Sequence, residues 1–189
     1  MKGNLILIFS LAIGQMLGQS AYSVSTFKMS IKGTSNLHDW ESAVKEMRIK
    51  SDFSMQDDKP TAVNSLSVEI PVKTIKSTKG SIMDNKTYDA LKADAHPNIT
   101  FKLEGVAPIK QQSDGYSLTA SGNLMIAGGT KKIDLAVKGK SNSDGSITFS
   151  GAKKLKMTDF GMKPPTALMG TMKVGDEVEI VFTVTLKKN

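Results

Sequence analysis

The chain has 189 residues, of which 25 are Lys or Arg, 18 are Asp or Glu and 39% are hydrophobic. This length suits one domain with a buried core, and the balanced composition excludes both a disordered chain and a multi-span membrane protein. The absence of cysteine excludes disulfides, thiolate nucleophiles and Cys-ligated zinc. Two histidines leave little material for a His-rich metal site, so an ordinary metalloenzyme is disfavoured.

The N-terminus has the pattern of a secretory signal peptide. Lys2 precedes an apolar run over residues 5–17, and residues 18–21 supply small side chains for cleavage. The run is shorter than the about 20 residues that span a bilayer, so a retained anchor is the less favoured alternative. We therefore expect residues 1–20 to be a signal peptide and residues 21–189 to be the mature domain. Export to the periplasm is favoured, and full secretion stays open.

The positive charge is spread along the chain. The formal net charge is +7, and the doublets Lys131-Lys132, Lys153-Lys154 and Lys187-Lys188 are too small to form a polybasic arm. Lysine alternates with serine, threonine and apolar residues, which is typical of the solvated face of a sheet. We therefore expect no nucleic-acid partner, while a transient contact with an anionic membrane surface is compatible with the charge.

After the N-terminal segment, apolar residues recur at every second position, which is the period of strands with one buried face. Seven such runs are clear, and an eighth strand is predicted from Val44 to Phe53. The seven runs are Phe27 to Ile31, Leu66 to Val72, Ile99 to Leu103, Tyr116 to Ile126, Ile133 to Val137, Ile147 to Phe149 and Val178 to Leu186. Four pairs of turn residues predict tight hairpins and hence antiparallel pairing. These pairs are Asp114-Gly115, Gly128-Gly129, Asp144-Gly145 and Gly175-Asp176.

Residues 81–93 depart from the strand period and predict one short helix. Ser81 and Asp84 are typical of a capping box at its start. Helical spacing relates Met83, Thr87 and Leu91. Long antiparallel strands with tight turns either stack as two sheets or close into a barrel, and closure removes the exposed edges. The sequence therefore predicts an all-β protein, an eight-stranded antiparallel barrel with one short helical insert.

An eight-stranded barrel can be filled by its own side chains or hollow around one small ligand, and the two read alike in sequence. The small residues Ala120, Gly122 and Gly151 on inward or bending positions favour room inside. A hollow barrel would be a binding protein. A filled barrel would be a structural or protein-interaction module of the cell envelope, and this alternative stays open.

The densest polar cluster is His38-Asp39-Trp40. In a catalytic interpretation Asp39 would orient His38 as a base, but adjacent residues on a strand point to opposite faces. In a metal interpretation His96 would join them, which is a weak signal. The favoured interpretation is a turn held by side-chain hydrogen bonds, with Trp40 at one end of the barrel. We expect no catalytic residue, no metal and no covalent cofactor.

A series of short motifs runs along the whole mature chain. They are residues 33–40 (GTSNLHDW), 68–72 (VEIPV), 81–84 (SIMD), 95–101 (AHPNITF), 122–126 (GNLMI), 132–137 (KIDLAV), 159–161 (DFG) and 174–178 (VGDEV). The series resembles, in the same order, the YceI-like family of exported lipid-binding proteins. The resemblance implies a lipocalin-like barrel with a helical insert, which holds a polyisoprenoid or isoprenoid-quinone tail in its lumen and has no catalytic machinery.

The resemblance thus implies a carrier or sequestering protein whose ligand is an isoprenoid-type lipid. Its partners would be the apolar lipid and, transiently, an anionic membrane surface; a homodimer is left open. His38, Asp39 and Asp84 are expected to be structural. The predicted lumen lining is Trp40, Val68, Ile70, Val72, Tyr88, Ile99, Phe101, Leu103, Leu118, Leu124, Leu135, Val137, Phe149, Met157, Phe160, Ile180, Phe182 and Val184.

Overall fold

Twelve strands and one α-helix follow each other in a computed structural model that describes residues 19–56, 59–167 and 170–189. Most of the predicted signal peptide, residues 1–18, lies outside the described residues. The strands are β1 (Gln19–Ser35), β2 (Trp40–Val44), β3 (Arg48–Gln56), β4 (Lys59–Pro71), β5 (Ile75–Ser77), β6 (Asn98–Val106), β7 (Lys110–Gln112), β8 (Gly115–Ile126), β9 (Gly129–Ser141), β10 (Ile147–Lys156), β11 (Thr166–Ala167) and β12 (Met172–Lys188). The helix α1 (Ser81–Ala90) follows β5, and 3-10 turns lie at Val72–Thr74 and Met157–Phe160.

Eight of these strands close into one antiparallel barrel. The order around the barrel is β12, β10, β9, β8, β6, β4, β3 and β1, and β1 returns to β12. This closing pair runs from Tyr22 opposite Lys188 to Ser35 opposite Val174. The predicted eight-stranded antiparallel barrel is confirmed, and the four remaining strands are short additions to it.

The strand period places one face of the barrel wall inside. In β8 every second residue from Tyr116 to Ile126 is buried, whereas the residues between them are partly exposed. A two-residue period alternates side chains between the two faces of a sheet, so this strand contributes an apolar inner row.

The short strands β2 and β5 bring the helix to one end of the barrel. β1 pairs with β3 only from Gln19 to Tyr22, and further along it pairs with β2 instead. β5 adds to the outer edge of β2, with Ser77 opposite Ser42. The chain then enters α1, which therefore lies beside the end of the barrel where β1 and β2 meet.

Two predictions of strand and turn positions are wrong. The run from Val44 to Phe53 is divided, because β2 ends at Val44 and the Lys45 N–H then donates to the Thr74 carbonyl. Gly175-Asp176 forms no hairpin and lies within β12. The pairing of β1 with β12 shifts register between Gly33 and Ser35, so the extra residues of β12 bulge there.

The predicted capping box of the helix is also wrong. α1 begins at Ser81, and its N-cap is Gly80, at a φ of 86° and without a side-chain cap. Asp84 instead accepts a hydrogen bond from the Ser77 N–H at 2.6 Å and pairs with Lys76 at 3.5 Å. The carboxylate of Asp84 therefore attaches α1 to the end of β5.

Candidate functional site

An apolar cavity of about 590 Å³ occupies the interior of the barrel. Its wall consists of inward side chains from the strands, one side of α1 and the turn Met157–Phe160. The volume lies within the range of roughly 300–1,000 Å³ that is typical of ligand pockets. The barrel is therefore hollow, which fits the binding alternative better than the filled module.

The register of β10 with β12 orders the wall into layers. At the packed end Leu186 lines the cavity and lies opposite Ile147, which is buried outside it; the two are 2% and 1% exposed. Phe149 beside Val184 forms the next layer. Leu155 beside Val178 lies at the opposite end of this strand pair. The cavity therefore runs along the barrel axis from a tightly packed end to an open one.

Four aromatic rings close the deep end. Phe53 contacts Tyr22 edge to face at a centroid distance of 5.3 Å and stacks on Phe149 at 5.7 Å. Tyr116 meets Phe149 edge to face at 6.1 Å. Burial raises the pKa of the Tyr116 phenol, so its hydroxyl stays neutral at physiological pH. Aromatic pairs of this kind add about 0.5–1.5 kcal/mol each beyond the area they bury.

The opposite end is a mouth that combines apolar and basic side chains. Ile82 of α1 lines the cavity although its side chain is 76% exposed, so the cavity reaches solvent beside the helix. Polar residues also line the cavity, and they are Ser35, His38, Ser42, Ser77, Lys79, Lys86, Thr87, Lys153 and Lys156. The methionines Met157, Met162 and Met172 are buried at this end and provide an adaptable apolar surface.

The predicted cluster around His38 is a structured loop at the mouth. Ser35 Oγ donates to the His38 carbonyl at 2.7 Å and accepts the His38 N–H at 3.1 Å. His38 Nδ1 lies 3.0 Å from the carbonyl of Asp39, so the ring contacts backbone there and not the carboxylate that a catalytic relay would need. Asn36 fixes the loop to β12 through the Lys173 N–H at 2.8 Å. These contacts support a structural role.

Trp40 covers Gly33 at this mouth. Its Nε1 donates to the Thr34 carbonyl at 3.1 Å, and its ring lies so close to Gly33 that an added Cβ would be 2.3 Å from it. The two residues are also directly paired between β1 and β2. Only glycine allows this approach, so the GTS motif before the loop has a packing reason.

The turn Met157–Phe160 is held against β12 by one carboxylate. Asp176 Oδ1 accepts the Thr158 N–H at 2.9 Å, and Oδ2 accepts the Thr158 hydroxyl at 2.6 Å. These bonds, with help from Lys156, hold the pKa of the Asp176 carboxyl below its usual range. The turn carries Met157 and Phe160, which line the cavity.

Replacing Asp176 by asparagine is expected to lower the melting temperature at pH 7. A depressed pKa contributes stability above the pKa of the unfolded chain, and this contribution is lost as the pH falls through the folded value. The difference between the wild type and Asp176→Asn should therefore shrink as the pH falls below the usual pKa of an aspartate, about 4. Thermal unfolding followed by circular dichroism at several pH values tests this. Asp89→Asn, on the exposed side of α1, controls for loss of a charge; a difference that does not depend on pH would contradict the assignment.

The structure places most of the predicted lining residues on the cavity wall. Sixteen of the eighteen contribute to it, and the exceptions are Val72 and Tyr88. Val72 is buried in the 3-10 turn before β5, outside the cavity. Tyr88 turns away from the cavity, because its hydroxyl donates to the Lys73 carbonyl and accepts from Lys76 Nζ at 2.6 Å. Whether the sixteen bind lipid stays a prediction.

Several wall residues were not predicted from the sequence. Met29 and Ile31 share the inward period of β1, so the alternation already marked them. Ser42 and Ser77 had no such signal, because small polar residues do not mark an inner face. Lys153 interrupts the apolar row of β10 and could have been found from its position in that row.

Within residues 19–56, 59–167 and 170–189, no three His, Asp or Glu side chains form a group that could hold a metal ion. No helix in the same ranges is both long and apolar enough to cross a membrane.

A barrel with a closed end, an apolar interior and a mouth, as the described residues form it, has the architecture of the lipocalin-like class. The profile of the YceI-like domain matches residues 19–186, so the chain belongs to the YceI-like family. The family resemblance inferred from the motifs is thereby confirmed.

Solved structures share the fold at low sequence identity. Burkholderia cenocepacia BcnA is 22% identical, with a TM-score of 0.66, over 84% of this chain and 95% of that one. A polyisoprenoid binding domain from Saccharophagus degradans implicated in plant cell wall breakdown is 11% identical, with a TM-score of 0.64, over 90% and 99%. The YCEI protein of Campylobacter jejuni is 22% identical, with a TM-score of 0.59, over 78% and 84%. No curated protein matches the chain significantly.

Proposed function

We propose that the protein binds one long apolar lipid of the polyisoprenoid or isoprenoid-quinone class in its lumen and acts as a periplasmic carrier or sequestering protein. The observation that carries the proposal is the hollow apolar cavity, which is closed by the aromatic end and open beside α1. A flexible apolar chain would enter through the mouth and extend toward Phe149. The similarity to a polyisoprenoid binding domain supports the choice of lipid class.

The energetics favour a carrier that exchanges lipid with membranes. Each methylene moved from water into the lumen contributes about 0.8 kcal/mol, so an isoprenoid tail would be retained strongly against water. A tail in a bilayer is already out of water, and its transfer into the lumen gains little. The lipid would therefore move in either direction when the mouth meets a membrane.

The residues at the mouth suit contact with a membrane surface. Ile82 and Leu37 are large apolar residues that are 76% and 58% exposed. Lys79 and Lys86 line the cavity, as Ile82 does. A lysine near an anionic membrane surface contributes about 1 kcal/mol to binding. We therefore propose a transient contact of this end with anionic lipid headgroups.

A transfer assay between vesicles tests the proposal. Donor vesicles carry a labelled polyisoprenol, acceptor vesicles carry none, and the mature protein is added in catalytic amount. We expect transfer to accelerate severalfold when phosphatidylglycerol is included, and the acceleration to fall with added salt. The variant Ile82→Ser should slow transfer, whereas Ile109→Ser, in the loop before β7, should not. Equal transfer with and without the protein would contradict the carrier role.

Localisation is tested separately in the cell of origin. We expect the mature chain in the periplasmic fraction, beginning close to residue 21 when its N-terminus is sequenced. A full-length chain that begins with Met1 in the membrane fraction would contradict the proposed export as a soluble carrier.

A further inference from the structure

Methionine side chains make up a large part of the cavity wall. The chain has 11 methionines, and six of the eight among the described residues line the cavity. We call these six the lumen methionines; they are Met29, Met47, Met83, Met157, Met162 and Met172. The other two are Met55, which packs against the core, and Met125, which lies on the outer face of β8. Thioether groups are therefore concentrated where the lipid would lie.

The lumen methionines differ in how easily a small molecule reaches them. Met83 of α1 is half-buried and follows Ile82, the highly exposed residue at the mouth. Met157 in the 3-10 turn and Met172 of β12 are only 7% and 6% exposed. A small molecule that enters the mouth from solvent should therefore reach Met83 more easily than the more deeply buried methionines.

The thioether is the sulfur group that this chain offers to an oxidant, because the sequence has no cysteine. Two-electron oxidants such as hydrogen peroxide convert a methionine thioether into a sulfoxide. Peroxide is neutral and not much larger than water, so it can enter a cavity of about 590 Å³ that reaches solvent at its mouth. An empty lumen therefore exposes its methionines to peroxide, whereas a bound lipid would cover them.

Oxidation would change the character of the wall. A thioether is apolar and adaptable, whereas a sulfoxide has a polar oxygen that accepts hydrogen bonds. The Thr87 hydroxyl, one helical turn from Met83, already donates to the Met83 carbonyl at 3.0 Å. An apolar tail offers no donor either. A sulfoxide oxygen in the wall would therefore lose its water without a replacement when a lipid binds, which is costly.

We infer that the lumen methionines are a modification site, at which peroxide-type oxidants form methionine sulfoxide and thereby lower the affinity of the lumen for lipid. A sulfur lone pair attacks one peroxide oxygen, and an S–O bond forms as the O–O bond breaks. The hydroxide that leaves takes the proton of the new S–OH group and becomes water. The sulfur loses two electrons and the peroxide gains them. The effect on lipid rests on the proposed function, whereas the oxidation itself does not.

Peptide mass mapping tests where oxidation occurs. The mature protein is treated with hydrogen peroxide, once free of lipid and once saturated with geranylgeraniol. We expect the lumen methionines to be oxidised, Met83 fastest, and to react several times more slowly in the loaded protein. Met125 on the outer face is the internal control and should react at the same rate in both. Equal rates for the lumen methionines in both samples would overturn the inference, as would their resistance in the free protein when Met125 is fully converted.

Lipid binding after oxidation tests the consequence. The peroxide dose is set so that the circular dichroism of the barrel is unchanged. The affinity for labelled geranylgeraniol should then fall at least about tenfold, as expected for polar wall groups that lose their hydrogen-bond partners. An unchanged affinity in a protein whose lumen methionines are sulfoxides would contradict the inference.

Leucine replacements identify the residues responsible. Leucine has nearly the volume of methionine and forms no sulfoxide, so the exchange is well tolerated in a core. The variant with all six lumen methionines replaced should keep its affinity after peroxide, and the single variant Met83→Leu should keep part of it. Met125→Leu, the matched control, should lose as much affinity as the wild type. An equal loss in the sixfold variant would overturn the inference. If the unoxidised wild type bound no lipid, the proposed function would be wrong, and the mass map would still report oxidation of the lumen.

Discussion

Replacing Ala120 by phenylalanine is expected to weaken lipid binding strongly and to leave the barrel folded. Ala120 lies midway along β8, is 4% exposed and lines the cavity. A phenyl ring there would occupy space that a lipid tail otherwise fills. Displacing about four methylenes costs about 3 kcal/mol, so the affinity should fall about 100-fold. Because the new ring enters empty volume, the free energy of unfolding should change by less than about 1 kcal/mol.

The same substitution separates a hollow barrel from a filled one. In a filled core the extra ring would have no room, and overpacking costs typically about 1–3 kcal/mol. Urea unfolding and a lipid-binding titration on the same sample measure both quantities. Thr119→Phe adds the same ring to the outer face of β8 and should bind lipid normally. Destabilisation of Ala120→Phe by about 2 kcal/mol or more would contradict the cavity described above.

Replacing Phe53 by alanine is expected to cause the largest loss of stability. Phe53 is 2% exposed and contacts both Tyr22 and Phe149 at the closed end. Removing a buried ring leaves a void, which costs about 3–5 kcal/mol. This is a large part of the about 5–15 kcal/mol that stabilises a typical domain. Chemical unfolding should therefore show a much lower midpoint.

The matched control for Phe53→Ala is Lys50→Ala, which shortens an exposed side chain of the same strand. It should unfold within about 0.5 kcal/mol of the wild type. If Phe53→Ala were equally stable, the aromatic end would not be a packed closure, and the barrel would be open at both ends.

The strand pattern made most of the fold predictable. Alternation in β8 and β12 marks the inner face, and the glycines of Asp114-Gly115, Gly128-Gly129 and Asp144-Gly145 mark the hairpins. The period of two residues is a local property, so it survives in a single sequence. Closure of the barrel is not local, because it depends on β1 meeting β12 across the whole chain.

The errors arose where tertiary contacts overrule local patterns. Gly175-Asp176 has the composition of a turn, yet the contacts with β1 and Thr158 keep it in β12 as a bulge. Asp84 has the sequence position of a capping residue, yet its carboxylate accepts the Ser77 N–H of β5 instead of capping the helix. Tyr88 is predicted to line the lumen, but its hydroxyl donates to backbone carbonyls outside the cavity, which no local pattern indicates.

The candidate site shows a similar division. Apolar lining residues follow from parity, so sixteen of eighteen predicted positions lie on the wall. Gly122 and Gly151 were expected to leave room for a ligand. Instead, the ring of Phe101 packs against Gly122 and the ring of Phe182 packs against Gly151, so these glycines accommodate other wall residues. Ser42 and Ser77 reach the wall through the pairing of β2 with β1 and with β5, and no sequence pattern encodes this pairing.

The central claim is that the lumen holds one long apolar lipid. Native mass spectrometry of the mature protein, purified without detergent and then extracted with organic solvent, tests it most directly. We expect a single isoprenoid-type lipid at close to one molecule per chain, released on extraction and identified by its mass. A protein that carries no lipid and takes up no added prenyl lipid would contradict this claim. A structural or protein-interaction module would then be the better description of the protein.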